Sequence, residues 1–195
     1  MLCTANRCRS PMAEGMLRLR LADLGIAAEV RSAGLSESGL PATDHGVTTM
    51  ARRGIDLAGH RSRRLDAAAL DCADVVLGME RRHIQEAVLL DPSARERAFT
   101  LADLARRAIT VEPRRPGETL RTWAGRVAGG RTTAELLGVG DDAVADPVGR
   151  SLATYSRTAA EIDDLLAAVV AAAWPGAPVA TSVFTSTADR HGSTP

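Results

Sequence analysis

Lysine is missing from this chain: all 24 of its basic residues are arginine. That removes a Walker-type phosphate loop, which needs its lysine, and any chemistry through a lysine Schiff base. Net charge is missing too, because 24 acidic residues balance the arginines. Neither nucleic acid nor an anionic membrane is therefore implied as a partner. Three cysteines are too few for a secreted disulfide framework. With no signal-peptide pattern, no apolar run of membrane length and no internal repeat, the expected compartment is the reducing cytoplasm. Aromatic residues are scarce, at 3%.

What remains is the composition of an ordinary soluble protein. The 195 residues are 45% hydrophobic and 25% charged, enough for one domain with a sizeable core. Apolar spacing predicts a helix from Pro11 to near Gly25, with Ser10 as its N-cap and Pro11 at its first position. Short strands are expected at 28–33, 73–78 and 98–101. Helices are expected at 42–53, 66–71, 79–90, 102–108 and 151–173. The stretch 109–145 reads as loop-rich, with one helix near 118–128. Residues 1–173 form the expected domain, and 174–195, rich in Pro, Ser, Thr and Ala, a disordered tail. Alternating strands and helices imply an α/β three-layer sandwich: a four-stranded parallel sheet with helices on both faces. Ligands of such sheets sit at the carboxyl ends of the strands. Cys3 stands where the first strand should end.

The run Cys3-Thr4-Ala5-Asn6-Arg7-Cys8-Arg9-Ser10-Pro11 places a thiol at the mouth of a short loop, an arginine at its close and a helix behind both. In so arginine-rich a chain the C-x5-R spacing arises easily by chance, and Ser10-Pro11 with the following helix gives it weight. Backbone amides from Thr4 to Arg9 can curl around phosphate oxygens, and the helix adds its positive end. Arg9 can grip two oxygens as a fork. The same field favours the Cys3 thiolate, and Ser10 can donate a hydrogen bond to it. Asp146, before Pro147 and the last helix, can protonate a leaving oxygen and then activate water against a cysteinyl phosphate.

The segments CTANRCRSPMAE at 3–14, SAG at 32–34, GIDLAGHRSRRL at 54–65, ADVVLGM at 73–79 and ADPVGRSLATY at 145–155 resemble the low-molecular-weight protein tyrosine phosphatases in order and spacing, over about residues 2–170. The resemblance implies Cys3 as nucleophile, Arg9 as phosphate ligand, Ser10 as thiolate donor and Asp146 as general acid. Thr4, Ala5, Asn6, Arg7, Cys8 and Ser10 would line the substrate. It also implies that Ser32 and His60 hold Asn6 in a strained conformation, and that Cys8 can form a reversible disulfide with Cys3. No metal or other cofactor is implied, and a monomer is expected.

Three departures stand out. Ala5 replaces a frequent glycine, which is tolerable if its φ is negative. Val148 follows Asp146-Pro147 where an aromatic residue is usual, and 35–40 supplies no aromatic wall. The first strand looks truncated. Burying about four further apolar side chains ahead of the cysteine would contribute roughly 6–12 kcal/mol, against a whole-domain stability of about 5–15 kcal/mol. The expectation is a start codon assigned too far downstream.

The leading function is a cysteine-dependent phosphomonoesterase acting on phosphotyrosine in a protein, or on a small phosphate ester. The alternatives are arsenate reduction with an external small thiol and an inactive phosphate-binding homologue. Cys72 and Cys8 read as core residues, Tyr155 as packing, and His45, His83 and His191 as surface residues. The arginines at 61–64 read as a solvated face.

Overall fold

A computed structural model of the chain describes residues 1–137 and 142–176. The expected tail beyond residue 176 and His191 lie outside the described residues. Four short strands form one all-parallel sheet in the order β2-β1-β3-β4. They are β1 (Leu2–Cys3), β2 (Ala33–Gly34), β3 (Val76–Gly78) and β4 (Ala98–Thr100). Parallel neighbours require crossover connections, and helices supply them: α1 (Arg9–Asp23), α2 (Asp44–Ala51), α3 (Ala67–Asp71), α4 (Arg81–Leu90) and, after β4, α5 (Leu101–Ala108). The chain continues through α6 (Leu120–Ala128) and α7 (Thr133–Leu137) to α8 (Leu152–Ala173). No described helix is long and apolar enough to cross a membrane.

The period-two alternation of strand side chains divides the interior in two. Leu2, Ala33, Val76 and Ala98 join Leu70, Ile84 and Ala87 on one face. Cys3, Leu77 and Phe99 point to the other, where Met12, Leu104, Ile162 and Leu166 bury them. Here α8 packs along α1, α2 and α5. The one-residue offset between Leu2 and Cys3 thus aims the thiol at the face that carries α1, and the loop after it rises at the carboxyl edge of the sheet.

Several expectations need correction. The strand expected at 28–33 is reduced to Ala33–Gly34, on the sheet edge. Helix α1 begins at Arg9, ahead of Pro11, and its N-cap is Cys8, with no capping side chain. Pro11 still falls in the first turn, where its missing N–H costs nothing. Ser10 is therefore inside the helix, and its hydroxyl is free for another partner. The loop-rich reading of 109–145 missed α7. Its signal was a capping box, in which Glu135 N donates to Thr132 Oγ1 at 3.1 Å and Thr132 N to Glu135 Oε2 at 2.8 Å. Cys72 is exposed rather than in the core. Tyr155 is buried and meets the exposed His45 edge-on, with ring centroids 5.4 Å apart.

Gly34 ties the sheet to the loop. A Cβ there would lie 2.7 Å from Asn6 N and 2.8 Å from Thr4 O, and neither backbone atom can give way alone. Gly34→Ala is expected to cost about 1–3 kcal/mol, read from the urea unfolding midpoint, because overpacking has to displace the loop itself.

Candidate active site

Residues 4–8 form a tight arch from β1 to α1, and its shape is set by Asn6. With φ of 51°, Asn6 is the only described non-glycine residue at positive φ, so Ala5 escapes that strain. Asparagine tolerates this region better than most residues, and here its groups are fully engaged. Its amide nitrogen donates to Ser10 Oγ at 2.9 Å and to Ser32 Oγ at 2.8 Å. Its side-chain oxygen accepts from Arg63 N at 2.8 Å, and its carbonyl accepts from His60 Nε2 at 2.6 Å. Leu35 N and Ser36 N donate to Thr4 O, and Thr43 N to Arg7 O.

Asn6 fixes the direction of two of these bonds. Both amide protons of Asn6 are spent, so Ser10 and Ser32 each receive one bond and keep a proton to give. Ser32 gives its proton to the buried carboxylate of Glu14. Ser10 Oγ lies 3.0 Å from Cys3 Sγ, with Ala33 O more distant at 3.4 Å. The Ser10 hydroxyl proton is thus within reach of both the sulfur and the Ala33 carbonyl oxygen. Cys3 is 3% exposed. Cys8 is also a buried free thiol. Burial first, then the nearby Asp146, push its pKa up to about 12, which favours the neutral thiol.

Arg9 is buried at the opposite side of the arch. Its Nη1 donates to Glu80 Oε1 at 2.5 Å and to Val144 O at 2.8 Å, and its Nη2 to Asp146 Oδ2 at 2.9 Å. Both Nη1 protons are consumed, leaving the Nε–Nη2 edge, the geometry that grips an oxyanion with two parallel bonds. Asp146 is 43% exposed, stands 137 positions from Arg9 in sequence, and is held by an anchored segment. Val144 N donates to Met79 O at 2.8 Å. Asp142 accepts from Arg81 at 3.0 Å and from Thr100 Oγ1 at 3.0 Å.

The first turn of α4 is the part of the site that sequence reasoning missed. Glu80 holds Arg9 and is itself held by Arg82 Nε at 2.9 Å. Burial works to raise the Glu80 pKa, and the bonds from Arg9 and Arg82 outweigh it, leaving the carboxyl below the ordinary glutamate value. His83, expected at the surface, is fully buried. Its Nδ1 accepts from Glu80 N at 3.0 Å, and its Nε2 lies 3.2 Å from Thr4 Oγ1. Burial, reinforced by Arg9 and Arg82 against the pull of Glu80, lowers the His83 pKa to about 4. The available signal was positional: Glu80 and His83 follow β3 at the carboxyl edge where ligands of parallel sheets bind. Among the described residues no group of three or more His, Cys, Asp or Glu side chains is placed to hold a metal.

Of the residues singled out in the sequence, Cys3, Asn6, Ser10, Ser32 and His60 share one hydrogen-bond network, and Arg9 and Asp146 share another. Thr4, Ala5 and Arg7 are the partly exposed loop residues. Arg7 Nε donates to Pro41 O at 2.8 Å. Val148, two positions after Asp146, is 54% exposed.

The folded state resists protonating His83 between about pH 6.5 and 4, whereas the unfolded chain does not. Its cost to stability is absent above pH 6.5 and grows as the pH falls to about 4. In His83→Asn, whose amide oxygen can still accept from Glu80 N, urea unfolding should show a smaller stability loss between pH 7 and 4.5 than the parent. An equal loss assigns the pH dependence elsewhere.

Comparison with known proteins identifies the family. The family model described as low molecular weight phosphotyrosine protein phosphatase matches residues 1–113. A probable low molecular weight protein-tyrosine-phosphatase, EpsP, of Ralstonia nicotianae is 35% identical over 104 residues, covering 53% of this chain and 69% of the relative. A protein-arginine-phosphatase of Bacillus subtilis is 31% identical over 167 residues, covering 85% of this chain and 89% of the relative. Among solved structures, a low molecular weight protein tyrosine phosphatase from T. tengcongensis superimposes with a TM-score of 0.66 at 29% identity, covering 87% of this chain and 94% of that one.

Proposed function

The chain belongs to the low molecular weight phosphotyrosine protein phosphatase family, and from that premise we propose that it hydrolyses phosphotyrosine in protein substrates through a cysteinyl-phosphate intermediate. The observation that carries the reading is the 2.9 Å contact between Arg9 and Asp146, which brings a carboxyl group to the phosphate-gripping edge from the far end of the sequence.

The steps follow from the residues in place. The phosphoryl group enters the arch, where the loop amides and the Nε–Nη2 edge of Arg9 offset its charge. Cys3 Sγ attacks phosphorus and the bond to the leaving oxygen breaks. Asp146, once protonated, gives its proton to that oxygen. A water molecule then attacks the cysteinyl phosphate, Asp146 takes its proton, and inorganic phosphate leaves with Cys3 again a thiolate. In the free enzyme Asp146 accepts a bond from Arg9. Phosphate arriving at the same guanidinium competes for that donor and releases the carboxyl group toward the leaving atom.

A second reading has its own support. The arginine phosphatase relative aligns over 85% of this chain, and the exposed Val148 offers a phosphotyrosine ring no stacking partner. A phosphoarginine side chain needs no aromatic wall, and its leaving nitrogen requires the same acid. Arsenate reduction by an external thiol would use the same arch, but the matched relatives are phosphatases by name.

Turnover of matched phosphotyrosine and phosphoarginine peptides, with arsenate plus glutathione-type thiols as a third arm, separates the readings. The expected result is highest kcat/KM on phosphotyrosine and complete loss in Cys3→Ser. Asp146→Asn should lower kcat by about 10²–10⁴ on poor leaving groups and much less on p-nitrophenyl phosphate. An Asp146→Asn effect independent of the leaving group removes the general-acid role, and an active Cys3→Ser enzyme removes the mechanism.

A further inference from the structure

The hydroxyl of Thr4, next to the nucleophile, is oriented by its neighbours in a way the reaction above does not use. His83 Nδ1 accepts from the backbone N–H of Glu80 at 3.0 Å, so the single proton of the neutral ring sits on Nε2. That nitrogen is 3.2 Å from Thr4 Oγ1 and must donate to it. Arg82 Nη2, which can only donate, is 2.7 Å from the same oxygen. A threonine hydroxyl has two acceptor positions and one proton. Both acceptor positions are filled from outside the arch, so the proton is directed away from His83 and Arg82. No acceptor among the described residues takes it.

The surroundings fix where that proton stands. One turn of helix spans both ends of the arch: Glu80 binds Arg9 at 2.5 Å, while Arg82 binds Glu80 at 2.9 Å and Thr4 at 2.7 Å. Thr4 Oγ1 and the Arg9 guanidinium are therefore connected through a single arginine–glutamate pair and share the rim of the loop. Thr4 is partly exposed there, whereas His83 behind it is fully buried.

We propose that the Thr4 hydroxyl is a side-chain donor to a non-bridging oxygen of the bound phosphoryl group, with His83 and Arg82 as the positioning residues that turn it inward. This rests on the phosphatase reading for its substrate, but it concerns how a tetrahedral oxyanion is bound and holds for inorganic phosphate alone. Backbone amides and Arg9 would then be joined by one tunable donor. A free hydroxyl would divide its time among rotamers and water, and two fixed incoming bonds remove that freedom.

The test is inorganic phosphate binding, measured by calorimetry and as a competitive Ki against p-nitrophenyl phosphate, in the parent, Thr4→Val, Thr4→Ser and His83→Asn proteins. Thr4→Val keeps the shape and removes the donor. It should weaken phosphate binding about tenfold, the size of a hydrogen bond to a charged group, and Thr4→Ser should recover most of the loss. His83→Asn should weaken binding in the parent and have no further effect in Thr4→Val, since a positioning residue has nothing left to position. Unchanged phosphate affinity in Thr4→Val overturns the proposal, as does a Thr4→Ser protein as weak as Thr4→Val, which would assign the loss to packing. Equal His83→Asn effects in both backgrounds overturn the positioning role, and if that variant does not fold the two Thr4 variants decide alone. Phosphate bound tightly by a parent that turns over no ester would remove the phosphatase reading while leaving this comparison readable.

Discussion

A buried guanidinium governs this site. Arg9 lies almost entirely out of water, and a buried cation without partners is strongly destabilising. The chain answers with Glu80, the carbonyl of Val144 and Asp146. Those partners come from the turn after β3 and from the segment before α8, so satisfying one charge ties three distant parts of the sequence to the carboxyl edge of the sheet. The architecture has the same dependence. Met79, which precedes Glu80, donates its N–H to Leu2 O and accepts from Val144 N, so the backbone that supports Glu80 also closes the sheet beside β1.

The second fixed point is Asn6. Its positive φ would be a liability in a loop left to itself, since such conformations cost of order 1–3 kcal/mol. Four hydrogen bonds to Ser10, Ser32, Arg63 and His60 hold it in place. Strain and network have one consequence for the site: with Asn6 locked as a double donor, the Ser10 hydroxyl keeps its own proton, within reach of Cys3 Sγ and Ala33 O. The buried Glu14 belongs to the same chain of bonds. It accepts the Ser32 proton, which leaves Ser32 Oγ to receive the Asn6 amide.

Much of this was legible in the sequence, and the boundary is physical. Cys3, Arg9 and Ser10 lie within eight positions of one another and carry their chemistry in their spacing, and the strand–helix alternation was enough for the sheet and its layers. The helix start was misplaced because Ser10 has the composition of an N-cap, while its hydroxyl is engaged by Cys3 and Asn6 instead. Glu80, Arg82 and His83 were legible only by their position after β3. In isolation ERRH reads as the polar start of an exposed helix, and only the pairing of β3 with β1 turns that first turn toward the loop. His83 illustrates the general difficulty: burial of a polar side chain depends on which donors and acceptors the fold brings to it, and those come from Thr4, 79 positions away.

On the proposed mechanism, one guanidinium shared between a resident carboxylate and an incoming phosphate would couple binding to catalysis. Asp146 accepts from Arg9 Nη2 at 2.9 Å. A phosphoryl group brings about two negative charges to the same edge and draws the cation toward itself. Glu80 limits how far this exchange can go. Held by Arg82 as well as by Arg9, it has less to gain by leaving and keeps the guanidinium from following the phosphate out of the arch. The two carboxylates on Arg9 thus differ in what they do because they differ in what else holds them: the doubly held one fixes the fork, and the half-exposed one is free to exchange.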